Sequence, residues 1–318
     1  MDAGLLYQNA IIKSREPLLL GADRIQRISD AANVEEALRL LSEAGYPAGQ
    51  TPDEVLAAAE KEASIFFKST LTKGYGLELF LTLDDYHNAK VAAKAYYFGA
   101  AKEGYKPEGT LLLSSLEEAL EKTEYQDLPE PMKQAFLALD KLKAKEALAP
   151  SAVDVLLDKA AFEELKEGLK GADKTVKEYF LLLADLKNIS VAYRAGKAGF
   201  SKERTKEMLL PVGTLSGKDL LLIFDLGEEG AEKISATALL KEALSTLKEG
   251  VTAYEVFTEN ALLSLLKKQR YDMFSPAPIA GYYVGKQREI KNVRLILARL
   301  QNGVDKEIIK KRMRELYV

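Results

Sequence analysis

Asp85-Tyr86-His87-Asn88-Ala89-Lys90 is the first of three copies of one pattern in this chain. In each copy an acidic residue stands three positions before an asparagine, and a glycine follows that asparagine eleven positions later. The other copies are Asp185-Leu186-Lys187-Asn188-Ile189-Ser190 and Glu289-Ile290-Lys291-Asn292-Val293-Arg294. The three glycines are Gly99, Gly199 and Gly303. The asparagines are separated by 100 and 104 residues, and a regular period of this kind indicates tandem copies of one structural unit.

A second pair of matches supports the repeat. Gly109-Thr110 and Gly213-Thr214 are also 104 residues apart, and each precedes a helix-start signal. We therefore predict three helical repeat domains, at residues 1–104, 105–208 and 209–318. The stretch Leu6-Tyr7-Gln8-Asn9 resembles the pattern without its acid, which suggests that the chain begins inside a degenerate copy.

The three copies fall in segments that are predicted to be long helices, over residues 77–98, 174–197 and 279–300. Residues i and i+3 are neighbours on a helix surface, so the acid and the asparagine of each copy share one face. Leu220–Phe224 could form a short strand, but an apolar run of this length is ambiguous. Because strand signals are poor elsewhere, we predict an all-α protein whose three repeats are related by pseudo-symmetry.

Capping signals predict where the shorter helices begin. Asn33-Val34-Glu35-Glu36 has the form of a capping box, and the stretches that start at Ser115 and Ser216 repeat it, the last one more weakly. Asp305 is predicted to cap a final helix that reaches Val318.

The composition excludes several kinds of chemistry. The chain has 318 residues, no cysteine and one histidine, so disulfides, thiolate zinc sites, cysteine nucleophiles and multi-histidine metal sites are excluded. The 45 basic and 48 acidic residues nearly balance, at a net charge of −3, so nothing points to a nucleic-acid partner. No apolar run of about 18 residues predicts a membrane span, no secretory signal is expected, and no cofactor motif is present.

The repeated acids and asparagines admit two interpretations, either as ligand groups or as packing groups that satisfy buried polar atoms. Repetition favours packing, because a catalytic site is normally unique whereas a packing solution is copied. We therefore predict no catalytic, cofactor-binding or metal-binding residues and a structural role for the motif. Its residues are Asp85, Asn88, Asp185, Asn188, Glu289 and Asn292.

Three further features were weighed in the same way. His87 is a poor metal candidate because no second histidine or cysteine accompanies it. Gly281 and Gly285 are interpreted as sites of close helix packing. The basic residues near the C-terminus form either a solvated face or a contact surface for an acidic partner, and the sequence leaves both possibilities open. They are Lys306, Lys310, Lys311, Arg312 and Arg314.

Two parts of the chain resemble a known family. Asp85–Lys90 is similar to the Asp-x-x-Asn-aliphatic-Lys segment in the C subunit of the archaeal and bacterial V-type (A-type) ATPases, a relative of the eukaryotic V-ATPase d subunit. The C-terminal part is the more specific match, through Pro278-Ile279, Lys286, Glu289–Arg294 and Arg314–Val318. The sequence departs from the family pattern at Lys286–Glu289, where Lys-Glu is expected before the Glu-Ile pair. It departs again at Ser190, where the other copies have a basic residue.

The resemblance implies a non-catalytic central-stalk subunit of a rotary ATPase. In that family three similar helical domains form a funnel on the cytoplasmic face of the membrane-embedded proteolipid ring. The D and F subunits of the central axle dock into the other side of the funnel. The funnel-shaped subunit then transmits torque for ATP-driven ion transport or ATP synthesis, and it is peripheral to the membrane through the ring.

Two other hypotheses stay open from the residues alone. The chain could be a free-standing helical-repeat scaffold for other protein partners, which would form a stable soluble pool. It could also be an enzyme with a small-molecule site in a helical cavity, since carboxylates can perform acid–base chemistry. The missing cysteines and the single histidine count against the enzyme.

Overall fold

The computed structural model describes residues 2–107, 109–234 and 236–318, apart from the side chains of Ala231 and Glu232. Met1, Glu108 and Ser235 fall within the three predicted repeat domains but lie outside the described residues. The described residues form helices and contain no strand, so the predicted all-α class is confirmed. None of the described helices is long and apolar enough to span a membrane.

The helices follow one another along the chain. They are α1 Ala3–Arg15, α2 Ala22–Ser29, α3 Val34–Glu43, α4 Pro52–Thr70, α5 Leu79–Phe98, α6 Leu113–Lys122, α7 Glu130–Ala144, α8 Pro150–Gly168, α9 Lys174–Lys197, α10 Lys202–Met208, α11 Gly217–Leu226, α12 Gly230–Lys233, α13 Ala238–Leu247, α14 Val251–Lys267, α15 Ala277–Asn302 and α16 Lys306–Lys310. The long helices α5, α9 and α15 carry the three copies of the motif, as predicted.

The chain divides into two compact units. Unit 1 combines the residues up to Lys73 with Ser245–Val318, and unit 2 is Gly74–Leu244. In unit 1, α15 contacts α1, α2, α3, α4, α14 and α16. In unit 2, α5 packs on α6 and α8, α8 packs on α7, and α9 packs on α10 and α11. The division into three repeat domains and their arrangement as a funnel stay predictions.

The core of unit 1 forms around one stripe of α15. Ile290, Val293 and Leu297 are buried, and their spacing places them on one face of the helix. They pack in one cluster with apolar side chains from α2, α3 and α4 and from the segment before α2. These include Leu20, Ile25, Ile28, Ala37, Leu41, Val55 and Leu56. Further along α15, the ring of Tyr283 stacks on that of Phe67 in α4, at a centroid distance of 4.0 Å.

In unit 2, aromatic side chains connect two of the motif helices. The ring of Phe80 in α5 lies 4.9 Å from the rings of both Tyr179 and Phe180 in α9, measured between centroids. All three residues are buried. These ring contacts join the N-terminal parts of α5 and α9 within unit 2.

The glycine that follows each motif ends its long helix. Gly99, Gly199 and Gly303 have φ values of 66°, 71° and 65°, in the left-handed region. Glycine adopts this conformation without steric cost and commonly terminates helices in this way. The spacing of eleven residues between asparagine and glycine therefore fixes how much helix follows the motif.

The helix starts agree only in part with the sequence. The Asn33 side chain caps α3 by accepting from the Glu36 backbone N–H, but the Glu36 carboxylate accepts from Ala32 rather than from Asn33. The prediction at Ser115 is wrong, because α6 begins at Leu113 and the serine lies in its first turn. The weakest signal, at Ser216, forms a complete capping box with Asp219.

Three other segments differ from expectation. The possible strand Leu220–Phe224 is part of helix α11. Residues 127–131, with two prolines, are expected to form a turn, but helix α7 already begins at Glu130 and carries Pro131 in its first turn. Pro17 is expected to kink or end the first helix, and α1 does end at Arg15, followed by a single 3-10 turn at Glu16–Leu18.

The predicted final helix to Val318 is wrong, because α16 ends at Lys310. The chain then lies back along α15, where the Tyr317 ring covers Gly281 and Gly285. A Cβ atom would come within 2.7 Å of Tyr317 at Gly281 and within 2.5 Å at Gly285. The two glycines therefore do mark a close approach, but their partner is the C-terminal segment rather than a second helix.

Candidate functional site: the acid–asparagine clamps

In each copy the asparagine binds both peptide groups of one residue in the segment that follows its helix. We call the segments that contain Lys106, Leu210 and Arg314 the return segments. Asn88 accepts from the Lys106 N–H at 2.8 Å and donates to its carbonyl at 3.1 Å. Asn292 does the same with Arg314, at 2.8 Å for both bonds. A primary amide can do this because it carries a donor and an acceptor side by side.

The second copy repeats this arrangement with one extra contact. Asn188 accepts from the Leu210 N–H at 2.7 Å and donates to the carbonyls of Leu210 and Val212, each at 3.3 Å. Asn188, like the other two asparagines, is buried. The shared geometry shows that the three copies use the amide in the same way.

Asn9 of α1 makes a related contact. Its amide nitrogen donates to the carbonyls of Met273 and Ser275, just before α15 begins. The residue is completely buried, and its amide oxygen has no partner among the described residues. Asn9 therefore holds backbone as the motif asparagines do, although it grips the segment before a long helix and uses only half of the amide.

The acid of the first copy holds the same return segment a few residues further on. One oxygen of Asp85 accepts from the N–H and the hydroxyl of Thr110 at 2.8 and 2.7 Å, and the other accepts from the Leu111 N–H at 3.1 Å. A Cβ atom at Gly109 would lie 2.5 Å from the Asp85 carboxylate and from the Leu81 carbonyl. Glycine is therefore required for this close approach.

The acid of the second copy is held in the same manner. Asp185 accepts from the N–H groups of Thr214 and Leu215 at 2.7 and 3.0 Å and from the Thr214 hydroxyl at 2.5 Å. A Cβ atom at Gly213 would lie 2.4 Å from the Asp185 carboxylate. The repeated Gly-Thr pair is thus explained, since the glycine admits the carboxylate and the threonine donates to it twice.

The acid of the third copy has a different set of partners. Glu289 accepts from the Leu20 N–H and the Tyr46 hydroxyl, both at 2.7 Å, and from the Lys286 ammonium at 2.5 Å. Burial and the neighbouring Glu289 carboxylate raise the pKa of Tyr46 well above its usual value, so the phenol stays a donor. The backbone that Glu289 holds belongs to Leu20, not to a Gly-Thr pair of the return segment.

We call each acid with its asparagine a clamp. Later residues of each return segment meet earlier residues of the helix, so the segment runs back along the helix that precedes it. In each clamp both oxygens of the acid and both polar atoms of the amide are bound to protein groups. The clamps therefore hold backbone, and their carboxylate and amide atoms are all bonded within the protein.

The surroundings of the first clamp modify its titration. Burial raises the pKa of Asp85, although its hydrogen bonds from Thr110 and Leu111 act in the opposite direction. His87 lies 2.8 Å from the Gly104 carbonyl, and burial lowers its pKa. Within the part of the chain that the structure describes, no group of three histidine, aspartate or glutamate side chains is arranged to hold a metal ion.

Two positions beside the clamps form ion pairs that the sequence analysis had not assigned. Lys90, two residues after Asn88, pairs with Asp158 of α8 at 2.8 Å. Arg294, at the same position in the third copy, pairs with Glu60 of α4 at 2.8 Å. Ser190 replaces this basic residue in the middle copy. The shared position in two copies was the signal that could have predicted these contacts.

The fold and the clamps define an all-α protein in which long helices of the same design hold the segments that follow them. Comparison with known proteins gives this class a family. The model of the ATP synthase (C/AC39) subunit family matches residues 8–312. The chain therefore belongs to that family, and the resemblance seen in the sequence is confirmed.

Named relatives cover nearly the whole chain. The C subunit of the A-type ATP synthase of Desulfurococcus sp. is 25% identical over 96% of this chain and 89% of its own length. The C subunit of the V-type sodium ATPase of Enterococcus hirae is 22% identical over 97% of this chain and 98% of its own length. The C subunit of the A-type ATP synthase of Thermococcus gammatolerans is 25% identical, over 96% of this chain and 88% of its own length.

Proposed function

We propose that this chain is a non-catalytic central-stalk subunit of a rotary A-type or V-type ATPase. It joins the proteolipid ring to the D and F subunits of the axle and transmits torque for ATP-driven ion transport or ATP synthesis. It lies on the cytoplasmic side, attached to the membrane through the ring. The observation that carries this proposal is the family match over residues 8–312, together with relatives named as the C subunits of such ATPases along almost their full length.

The clamps support a mechanical role. A part that transmits torque must resist deformation between its contacts, and polar networks whose members are all satisfied stiffen a structure. In this chain α5, α9 and α15 are each bound to their return segments by a buried asparagine amide. The carboxylates of Asp85 and Asp185 add further bonds to the first two return segments. The same groups are fully used within the fold, which fits a protein that has no chemistry of its own.

An exposed apolar surface on unit 1 supports a role in an assembly. Tyr271 is 78% exposed and Phe274 is 64% exposed, on the loop that Asn9 holds against α1. The Lys13 ammonium lies 4.7 Å above the Tyr271 ring. Tyr7 on α1 is also exposed, at 66%. Large exposed apolar side chains beside cations are typical of protein interfaces, where aromatic residues and arginine supply much of the binding energy.

The direct test is co-purification. The tagged chain is expressed in its own cells, the membranes are extracted with mild detergent, and the associated proteins are identified. We expect the ring and axle proteins in the same complex. A complex that contains ring and axle but lacks this chain would overturn the proposal, and a soluble pool without membrane association would favour the free-standing scaffold. ATP turnover by the isolated chain would contradict its non-catalytic character.

A matched pair of variants tests the exposed surface. Tyr271→Ser with Phe274→Ser should reduce the amount of chain recovered in the complex, because both rings lose their contacts with a partner. Leu112→Ser with Val251→Ser removes two apolar side chains of comparable exposure, 58% and 52%, from other positions, and it should leave recovery unchanged. Equal recovery of both double variants would rule out this surface as a docking site.

A further inference from the structure

One carboxylate in unit 1 is surrounded by three cations. Glu259 of α14 lies 3.1 Å from the Arg288 guanidinium, 2.7 Å from the Lys291 ammonium and 2.8 Å from Nε of Arg314. Arg288 and Lys291 belong to α15, and Arg314 belongs to the third return segment. We call these four side chains the Glu259 cluster. It carries two more positive charges than negative ones.

The excess charge of the Glu259 cluster is poorly compensated inside the protein. The side chains of Glu259, Arg288 and Arg314 are only 16%, 17% and 5% exposed, so water screens them weakly. Nε of Arg288 is buried and has no hydrogen-bond partner among the described residues. Burial alone would raise the pKa of Glu259, but the three cations outweigh it and hold that pKa below its usual value. The single carboxylate of Glu259 is therefore ionised and paired, and the cluster keeps its excess of positive charge.

Further basic residues precede Arg314, at the end of α16 and the start of the third return segment. Lys310, Lys311 and Arg312 are exposed and form no ion pair within the described part of the chain. Other basic residues near the C-terminus are paired, since Lys306 binds Asp30 and Arg314 binds Glu259. Ile308 next to them is 53% exposed. The structure thus separates the basic residues of the C-terminal region into a paired group and a free group.

We propose that Lys310, Lys311 and Arg312, backed by the Glu259 cluster, bind an acidic segment of a partner protein. We call these three residues the basic tail surface. None of the three forms an ion pair within the described part of the chain. The Glu259 cluster adjoins them through Arg314, whose guanidinium donates to the Arg312 carbonyl, and its excess positive charge has the same sign. The arginines and the lysine of the Glu259 cluster already bind a carboxylate. A carboxylate is the group whose two oxygens match the paired N–H donors of a guanidinium. The exposed acids Glu307 and Glu315 interrupt the surface, which suits a shaped protein partner better than a uniformly anionic membrane.

This inference does not depend on the complex to which the chain belongs, so the co-purification result leaves it open to its own test. A fluorescein-labelled hexaglutamate peptide is titrated with the purified full chain, and binding is followed by fluorescence anisotropy. We expect saturable binding that weakens as salt is raised, because exposed charges are screened. Replacing Lys310, Lys311 and Arg312 together by Gln should weaken it about tenfold.

The control has the same change in net charge. Lys141, Lys145 and Lys248 are exposed and form no ion pair among the described residues, and their joint replacement by Gln should change the affinity less than about twofold. All six side chains point to solvent, and circular dichroism checks that each variant folds. If both triple variants bind the peptide equally weakly, the loss of affinity comes from net charge alone, and the proposal is overturned. Absence of saturable peptide binding, or binding only to phosphatidylglycerol vesicles, would overturn it as well.

Discussion

Replacing Asn188 by Leu removes one complete clamp amide without changing the size of the side chain greatly. The Leu210 N–H, bound at 2.7 Å, loses its acceptor, and the carbonyls of Leu210 and Val212 lose donors at 3.3 Å. A buried polar group left without a partner costs about 1–3 kcal/mol. The short bond to the N–H dominates, and a leucine side chain recovers a little apolar burial. We therefore expect the free energy of unfolding to fall by about 2–4 kcal/mol.

Two measurements test this expectation. Urea unfolding followed by circular dichroism gives the loss of stability, and hydrogen–deuterium exchange read by mass spectrometry gives the protection of the peptide that contains Leu210. Because the clamp holds this segment, its amides should exchange faster in the variant. Asn302→Leu is the matched control, since Asn302 is exposed at the end of α15 and bonds only the Ala298 carbonyl within its own helix. It should change stability by no more than about 0.5 kcal/mol.

The reasoning fails if Asn188→Leu shifts the urea midpoint no further than Asn302→Leu does. It also fails if stability falls but exchange near Leu210 stays as slow as in the wild type. The second result would mean that the amide stabilises some other part of the fold and does not hold the return segment.

Two further predictions concern the other close contacts of the motif helices. Gly281→Ala should lower the free energy of unfolding by about 1–3 kcal/mol, because its Cβ would meet the buried Tyr317 ring at 2.7 Å. This overpacking exceeds the gain in helix propensity. Urea unfolding measures the change, and a more stable variant would show that the ring moves aside. His87, whose folded pKa lies below the ordinary value of 6.5, binds protons more readily when unfolded. Its contribution to stability is therefore present above pH 6.5 and is lost as the pH falls from that value through the lower folded pKa. Between pH 7.5 and pH 5.5 the wild type should therefore lose more thermal stability than His87→Gln, and equal losses would exclude the histidine as the cause.

The sequence predicted the repeat because each clamp depends on local chemistry. The asparagine and the acid must lie on one face of a helix, which fixes their spacing at three residues. The helix must end in a left-handed conformation, which favours glycine at Gly99, Gly199 and Gly303. Such requirements leave the same residue types at the same spacing in each copy. The repeated pattern could therefore be recognised from one sequence, and the structural role of its six residues stays a prediction.

The segments that the clamps bind could be predicted only where the contact requires a particular residue type. Gly109-Thr110 and Gly213-Thr214 are recognisable because the glycine must admit a carboxylate and the threonine donates a hydroxyl. The residues that the asparagines bind offer only their peptide groups, which every residue has. Lys106, Leu210 and Arg314 consequently share no side-chain chemistry, and no sequence pattern marks them.

The C-terminal segment shows how a tertiary contact overrides a local signal. Asp305 caps a helix as predicted, but that helix ends after Lys310. A longer helix would carry Arg314 away from Asn292 and Tyr317 away from the glycines of α15. Two backbone hydrogen bonds to a buried amide and the burial of a tyrosine ring favour the extended path. Helix propensity over a few exposed residues is too small to compete with these contacts.

The third clamp joins parts of the chain that are far apart in sequence, unlike the first two. In the first copy the asparagine binds Lys106 and the acid binds Thr110, so one return segment serves both residues. In the third copy the asparagine binds Arg314, but the acid binds the Leu20 N–H, 269 residues away. Loop-closure entropy opposes this contact more than the contacts of about 20–30 residues in the other clamps. Glu289 accepts three hydrogen bonds, as Asp85 and Asp185 do, but one of its donors is the Lys286 ammonium, and a hydrogen bond between two charged groups is stronger than one from a neutral donor. Unit 1 can therefore combine both ends of the sequence, because the acid of its motif binds the backbone of the N-terminal segment directly.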